Sequence, residues 1–301
     1  MQFQNYPYAI FEKKIIPLEE AKISIMTNAL HYGVGIFGGI KVFDTPDGPG
    51  IFRLDDHVSR LQKSVEFLNF RYKFNAAQVK KDILKLAKKN KIQAQTYIRP
   101  IIYRSDTRIS PAIEGDYDLA VYMLAMPGAY YNYEEEGIRV NVSSWQRNSS
   151  LAIPPKTKAT GGYINSALAI DEAKKLGFDS AIMLDKDDYV SEGAVMNLFI
   201  VKEGCLITPP ADSDILEGIT RKTIFEIAAE AKIPFKEAKV SKEELYSADE
   251  VFFCGTATDI TWCSQIDDKN ISKARGPLTA KIESAFSKLP VQHKELFTVV
   301  N

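Results

Sequence analysis

The sequence predicts two α+β domains, on three observations. Its 301 residues, 45 % hydrophobic and 26 % charged, are an ordinary globular composition and enough for two modest cores. Strand-like and helix-like segments are mixed without regular alternation, and no segment repeats another. Both features argue against a TIM barrel or a doubly wound parallel sheet.

From the N-terminus, extended runs at 8–14, 39–43 and 50–53 flank the Gly/Pro turn Asp44-Thr-Pro-Asp-Gly-Pro49, a hairpin signal. From Asp55 the apolar Val58, Leu61, Val65 and Leu68 recur at helical spacing, with Asp55 or its neighbour placed to cap the first turn. Val79, Ile83 and Leu86 repeat the pattern, and β-rich runs follow at 97–103 and 119–124. Turn formers, aromatics and acids then crowd into 126–137. This marks a smaller N-terminal domain at 1–124, a linker at 125–135 and a larger domain at 136–301.

The second half opens with a strand-like run at 138–145, crosses a Pro-rich stretch, and enters a helix near Tyr163 that Gly177 ends. Residues 197–207 carry two apolar runs around Lys202-Glu-Gly204, a further hairpin. After a Pro-Pro loop comes a helix with Ile224, Ile227, Ala228 and Ala231 on one face. Residues 251–253 then run as a buried strand into Gly255-Thr-Ala-Thr258.

With 38 Lys and Arg against 39 Asp and Glu, a net charge of -1 gives no field that would gather a polyanion, so nucleic acid is not an expected partner. Cys205, Cys254 and Cys263 match neither a zinc pair nor a disulfide framework and read as reduced. The opening residues lack a secretory pattern and no apolar run is long enough to cross a bilayer, so a cytoplasmic location without membrane contact is expected. His31, His57 and His293 share no ligand spacing; no metal is expected, and a triad hydrolase has little support.

The chemistry-bearing candidates each have an ordinary reading beside a functional one. Lys158, among small residues in Lys156-Thr-Lys-Ala-Thr-Gly-Gly-Tyr163, can form an imine with an aldehyde, or is a solvated loop lysine. Leu216-Glu-Gly-Ile-Thr220 opens an amphipathic helix whose free N–H groups suit a phosphate, although Thr220 can equally be a helix cap. Gly255-Thr-Ala-Thr258 offers a similar hydroxyl-rich turn. Arg60 projects from the first long helix to a phosphate or to solvent. Glu192 lies between apolar strands and can pair with a protonated pyridine nitrogen, or is a turn acid in water like nearby Asp185, Asp187 and Asp188. Tyr97 and Arg99, two apart on a strand, share a face and can make a carboxylate clamp, or the arginine is an exposed strand residue near a sheet edge.

Read in order, His31-Tyr-Gly33, Phe37-Gly-Gly-Ile40, Phe52-Arg-Leu54, Arg60-Leu61, Tyr97-Ile-Arg-Pro100, Ser143-Ser-Trp-Gln-Arg147, Lys158, Ser191-Glu-Gly193, Gly218-Ile-Thr-Arg221, Ala248-Asp-Glu-Val-Phe252 and Gly255-Thr-Ala257 resemble the branched-chain amino acid aminotransferases. These are fold-type IV enzymes that use pyridoxal 5'-phosphate, and the match runs over 25–285 with its order intact. The resemblance implies a small N-terminal α/β domain and a larger mixed-sheet pseudo-barrel. It also implies transfer of an amino group between a branched-chain or related apolar L-amino acid and 2-oxoglutarate.

By that resemblance Lys158 would bond the cofactor aldehyde and then shuttle the α-proton, Tyr163 would bond the phenolic oxygen, and Glu192 the pyridine nitrogen. Arg60, the Ile219 and Thr220 amides and Thr256 would hold the phosphate, with Leu216 on one ring face. Tyr32, Phe37, Tyr97 and Arg99 would line the substrate pocket, and Thr256 with Ala257 would take the α-carboxylate. Because the Tyr32 position reaches the pocket from the partner in that family, a homodimer or higher homo-oligomer is implied.

Departures cluster around that pocket. Gly38 replaces a glutamate, Lys41 an arginine, Val195-Met196 a Gly-Glu pair and Trp262 a proline, and the 126–130 stretch lacks a tryptophan. Arg104 and Arg108 add positive charge, as an acidic side chain would want. On the same scaffold, D-amino acid transamination and an aminodeoxychorismate-type lyase are the alternatives. The first is disfavoured by the Tyr97-Ile-Arg-Pro100 and Ser143-Ser-Trp-Gln-Arg147 motifs, the second by the Tyr97–Arg99 clamp. A non-enzymatic phosphate-binding protein is the remaining reading.

Overall fold

The structure, a computed structural model, describes residues 3–126 and 136–300; all but the first two residues of the expected linker at 125–135 lie outside the described residues. The chain divides into two compact units, one of Met1–Gly128, Thr157–Gly161 and Leu289–Asn301, the other of Ala129–Lys156 and Gly162–Lys288. Each combines a mixed or antiparallel sheet with helices, the α+β class expected from the sequence.

The first unit runs β1 (Gln4–Asn5), β2 (Tyr8–Phe11), β3 (Lys14–Pro17), α1 (Asn28–Tyr32), β4 (Gly35–Phe37), β5 (Ile40–Thr45), β6 (Gly48–Phe52), α2 (Leu54–Phe67), α3 (Ala76–Asn90), β7 (Thr96–Arg104) and β8 (Tyr117–Ala125). The order across its sheet is β6-β5-β7-β8-β2-β3, with β1 also on β8 and β4 also on β7. The helical stripes read from the sequence are the faces that bury: Val58, Leu61 and Val65 of α2 and Val79, Ile83 and Leu86 of α3 join Ile40, Val42, Ile98 and Ile102 in one core. Each such side chain stabilises the fold by about 1.5–3 kcal/mol relative to exposure.

Two local expectations fail here. The run at 8–14 is a hairpin, turning at Glu12 and Lys13 with φ of 47° and 63°. A turn with positive φ usually announces itself by Asn or Gly, and here it does not. Nor do Asp55 or its neighbour cap α2: the cap position is Arg53 in the left-handed region, with no side-chain cap bond. The acids instead sit in the first turn, where the helix dipole favours them, and Asp56 accepts from Arg53 Nη1 at 2.8 Å.

The second unit holds β9 (Ile138–Val142), α4 (Tyr163–Lys175), β10 (Ser180–Leu184), β11 (Val190–Gly193), β12 (Asn197–Lys202), β13 (Cys205–Thr208), α5 (Ile219–Glu230), β14 (Phe235–Glu237), α6 (Lys242–Tyr246), β15 (Glu250–Gly255), β16 (Asp259–Ile266) and β17 (Lys269–Asn270). Its strand order is β11-β10-β9-β16-β15-β12-β13-β14, with β17 on β16. Parallel pairs (β9 with β10 and β16, β13 with β14) make it a mixed sheet. Leu198, Ile200, Val251 and Phe253 lie in one core, while Ala169 and Ala173 of α4 cluster with Ala181 and Met183 of β10. Gly177, at φ 84°, follows α4 as the sequence expects. β9 ends at Val142; Ser143 N still donates to Ile182 O at 2.8 Å, and the Ser143 and Ser144 hydroxyls both donate to Glu172.

The chain closes with α7 (Pro277–Gln292) and β18 (Phe297–Val299), neither of them read from the sequence. β18 pairs antiparallel with β6, setting Phe297 opposite Phe52 within an aromatic group that includes Phe43. The C-terminal strand thus belongs to the first sheet, whereas the sequence assigns all of 136–301 to the second domain.

Candidate active site

In the first unit the geometry centres on the segment Thr157–Gly161. Lys158 has φ 52°, a left-handed conformation that costs a residue with a Cβ about 1–2 kcal/mol. The segment is held along β4: Phe37 N donates to Lys158 O at 3.2 Å, Ala159 bridges Ile36, and Gly161 N donates to Gly33 O at 3.1 Å. Lys158 Nζ stands 5.1 Å from the centroid of the Phe37 ring, and the Arg99 guanidinium 4.5 Å from the same ring. Arg99 Nη2 donates to Tyr97 Oη at 3.1 Å, so the strand alternation does bring both side chains together on one face. A Cβ at Gly39 would fall 1.9 Å from Tyr97 Oη, which reserves that position for glycine.

Positive charge gathers nearby. His57 and Arg60 lie three apart on α2, and the fully buried His57 imidazole titrates well below its usual range. Burial is the main cause, followed by the charges of Arg60, Lys158 and Arg53. Arg60 and Lys158 therefore both bear on one imidazole. Tyr32 is not part of this cluster: it ends α1, 38 % exposed, with His31 as its ring neighbour at 6.1 Å.

In the second unit Glu192 of β11 is buried, so the turn acid in water is ruled out. Arg147 Nη2 lies 2.8 Å from Glu192 Oε1, and Asn197 Nδ2 donates to Glu192 Oε2 at 2.9 Å. The same amide donates to Leu216 O at 2.7 Å, and Leu216 N approaches both carboxylate oxygens at 3.3 Å. Asn197 thereby ties the acid to the loop that enters α5. Gly218 precedes that helix in extended conformation with no side-chain cap, and its Cβ would strike Asn197 Oδ1 at 2.1 Å. Thr220 sits inside the helix, so it is not the cap. The helix therefore begins without a side-chain cap, and the dipole favours negative charge at the amides of Ile219 and Thr220. Thr256 and Ala257 are half-exposed between β15 and β16, and the buried Thr258 Oγ1 beside them has no hydrogen-bond partner among the described residues. Tyr163 is the first residue of α4 and half-buried.

The profile of the family described as amino-transferase class IV matches residues 35–266. A probable branched-chain-amino-acid aminotransferase of Synechocystis is 41 % identical over 285 residues, 93 % of this chain and 92 % of the relative. The branched-chain-amino-acid aminotransferase of Escherichia coli K12 is 39 % identical over 290 residues, 95 % and 94 % of the two chains. The chain belongs to the class IV aminotransferases, in their branched-chain group. A crystal structure of a T.th. branched-chain amino acid aminotransferase, complexed with N-(5'-phosphopyridoxyl)-L-glutamate, superposes with a TM-score of 0.92 at 31 % identity, covering 99 % of this chain and 100 % of the other.

Within this aminotransferase several departures from the family pattern have physical partners. A Cβ at Gly38 would meet Pro100 Cγ at 2.9 Å. Lys41 is buried with Nζ 5.2 Å from the Phe43 ring, and Trp262 is buried against Gly137, whose φ of 66° leaves room for the indole. Met196 is buried and Val195 exposed. The extra charge of Arg104 is engaged within its own loop. Arg104 is fully buried, donating to Asp106 through Nε at 2.9 Å and Nη2 at 3.1 Å, and to the Ser110 and Ala112 carbonyls. Arg108 donates to the same carboxylate. Asp185, expected in water, is also buried and accepts from Asp187 N and Tyr189 N.

Arg147, Asn197 and Thr160 hold candidate site residues or their neighbours in place but were not singled out from the sequence. The arginine closing Ser143-Ser-Trp-Gln-Arg147 is the signal that leads to the first: a carboxylate between apolar strands needs a cation, and that motif contains one.

Proposed function

We propose that this aminotransferase moves the amino group between a branched-chain L-amino acid and 2-oxoglutarate with Lys158 as its catalytic lysine. The observation that carries the reading is the cluster of Lys158, Phe37, Tyr97 and Arg99, an amine, an apolar wall and a carboxylate clamp together. Transamination of branched-chain amino acids with pyridoxal 5'-phosphate is the activity of the family. The D-amino acid, lyase and non-enzymatic alternatives find no favour among the relatives.

The residues fit that cofactor. Glu192 is a buried, ion-paired acceptor, the uncapped start of α5 suits a phosphate, and Thr258 Oγ1 is a hydroxyl without a partner among the described residues. When bound, pyridoxal phosphate supplies an aldehyde and a protonated ring that spreads the charge left on the substrate α-carbon. Glu192 would accept from the ring N–H, and Arg147 and Asn197 hold that carboxylate in place. By the family resemblance, Arg60, the Ile219 and Thr220 amides and Thr256 would hold the phosphate, Leu216 would face the ring and Tyr163 would bond the phenolic oxygen. Lys158 Nζ would hold the proton taken from the substrate α-carbon, general acid/base work worth about 10²–10⁴-fold. Phe37 receives an apolar side chain; Arg99 and Tyr97 receive the distal carboxylate of glutamate. Thr256 and Ala257 receive the α-carboxylate.

A homodimer is part of the same reading. Ile25, Met26 and Leu30 are 82 %, 53 % and 61 % exposed around α1, a patch suited to burial against a second copy, which would carry Tyr32 toward the partner's pocket. The three free cysteines fit a reducing, cytoplasmic setting. Among the described residues no helix is long and apolar enough to cross a membrane.

A panel of L- and D-amino acids tests the function by conversion of the bound cofactor to its amine form. L-leucine, L-isoleucine, L-valine and L-glutamate should convert it. A response to D-amino acids alone would contradict the reading.

A further inference from the structure

We propose that Thr160 is a positioning residue for Lys158, its hydroxyl fixing the backbone from which the reactive amine projects. The inference rests on the reading of Lys158 as the catalytic lysine and goes beyond it to a residue two places along the chain. Lys158 is held at φ 52°, a conformation a lysine leaves unless its surroundings over-determine it. Three of the restraints are backbone groups: Phe37 N on Lys158 O, the Ile36–Ala159 bridge, and Gly161 N on Gly33 O.

The fourth is a side chain. Thr160 Oγ1 donates to Gly33 O at 2.7 Å and lies 3.2 Å from Gly35 O. It thus spans the turn from Gly33, the left-handed cap of α1, to the first residue of β4. The contact leaves little slack. A Cβ at Gly33 would come within 2.8 Å of Gly161 Cα, and one at Gly35 within 3.2 Å of Thr160 Oγ1. Two glycines therefore make the room that one hydroxyl locks. Without it, Lys158 keeps its chemistry but loses a fixed origin, and a displacement of the reacting atom on the order of 1 Å is enough to slow a step severely.

Thr160→Val removes the hydroxyl while keeping the shape, and Thr160→Ser keeps the hydroxyl. In the holoenzyme the valine variant should shift the pH midpoint of the bound-cofactor absorbance by about half a unit or more. Its kcat should fall about tenfold while KM for both substrates stays within about twofold. The serine variant should restore both quantities. A valine variant matching wild type in midpoint and kcat would overturn the inference, as would a serine variant as impaired as the valine one, since the methyl would then be the active group. If Thr160→Val does not fold, Thr160→Ala is read against Thr160→Ser in the same way. Borohydride labelling of wild-type Lys158, run alongside, separates the failures: no label there sinks the lysine reading and this inference with it, whereas label with an unmoved midpoint sinks this inference alone.

Discussion

Arg147 and Glu192 form a 2.8 Å ion pair with their side chains 10 % and 4 % exposed. Removing one partner from such a pair leaves a buried charge uncompensated, which typically costs about 3–5 kcal/mol. Arg147→Met should therefore lower the urea unfolding midpoint markedly, and Arg147→Met combined with Glu192→Gln should recover much of the loss. Equal destabilisation by the single and double variants would show that the pair is not the source.

The Tyr97–Arg99 clamp is assigned to the acidic substrate alone. A hydrogen bond to a charged group is worth about 1.5–3 kcal/mol, so Arg99→Met should raise KM for 2-oxoglutarate by about tenfold or more. Leucine should be affected less than about threefold, and steady-state kinetics with each substrate varied in turn decides the matter. A parallel loss for both substrates would remove the clamp from its role.

Gly39→Ala probes the same clamp without removing any of its polar atoms. Its Cβ would fall 1.9 Å from Tyr97 Oη and must displace the hydroxyl that Arg99 meets. The variant should share the selective defect of Arg99→Met, at a magnitude of about tenfold. Normal 2-oxoglutarate kinetics would show that the hydroxyl has room to move.

Asp106 sets the expected pH response of the 104–116 loop. Arg104 chiefly, with help from Arg108 and the Arg108 and Asp116 backbone N–H groups, holds its carboxyl well below the usual range. A carboxyl depressed on folding contributes its stability in full above its unfolded pKa of about 3.9 and loses it as pH falls toward the folded value. The stability gap between wild type and Asp106→Asn should therefore be widest at neutral pH and narrow between about pH 5 and pH 3. Urea midpoints at those two pH values check it; a gap that widens in acid would contradict the assignment.

Periodic features were legible in the sequence. The Val58, Leu61, Val65 stripe, the Tyr97–Arg99 alternation and Gly177 after α4 depend on local spacing, and each has the place that spacing implies. Features that depend on distant partners were not. Glu12 and Lys13 turn a hairpin without turn chemistry of their own, because strand pairing enforces it. β18 finds its place through β6, more than two hundred residues earlier in the chain. Arg104 and Arg108 read as substrate-facing charge, but Asp106 and two carbonyls claim Arg104 at short range.

The site was legible in its residue types and not in its supports. Lys158, Glu192 and the Gly218-Ile-Thr220 turn stand out as an amine, an acid and an anion site. Asn197 carries no such signal, since an amide after Val195-Met196 looks like any strand residue until Glu192 and Leu216 O are seen on either side of its Nδ2.

Reduction of the holoenzyme with borohydride, followed by mass spectrometry of its peptides, tests the central claim most directly. The account predicts a phosphopyridoxyl group on Lys158 in the wild type and its absence, with loss of amino transfer, in Lys158→Ala. A label on another lysine, or a Lys158→Ala protein exchanging amino groups at the normal rate, would contradict it.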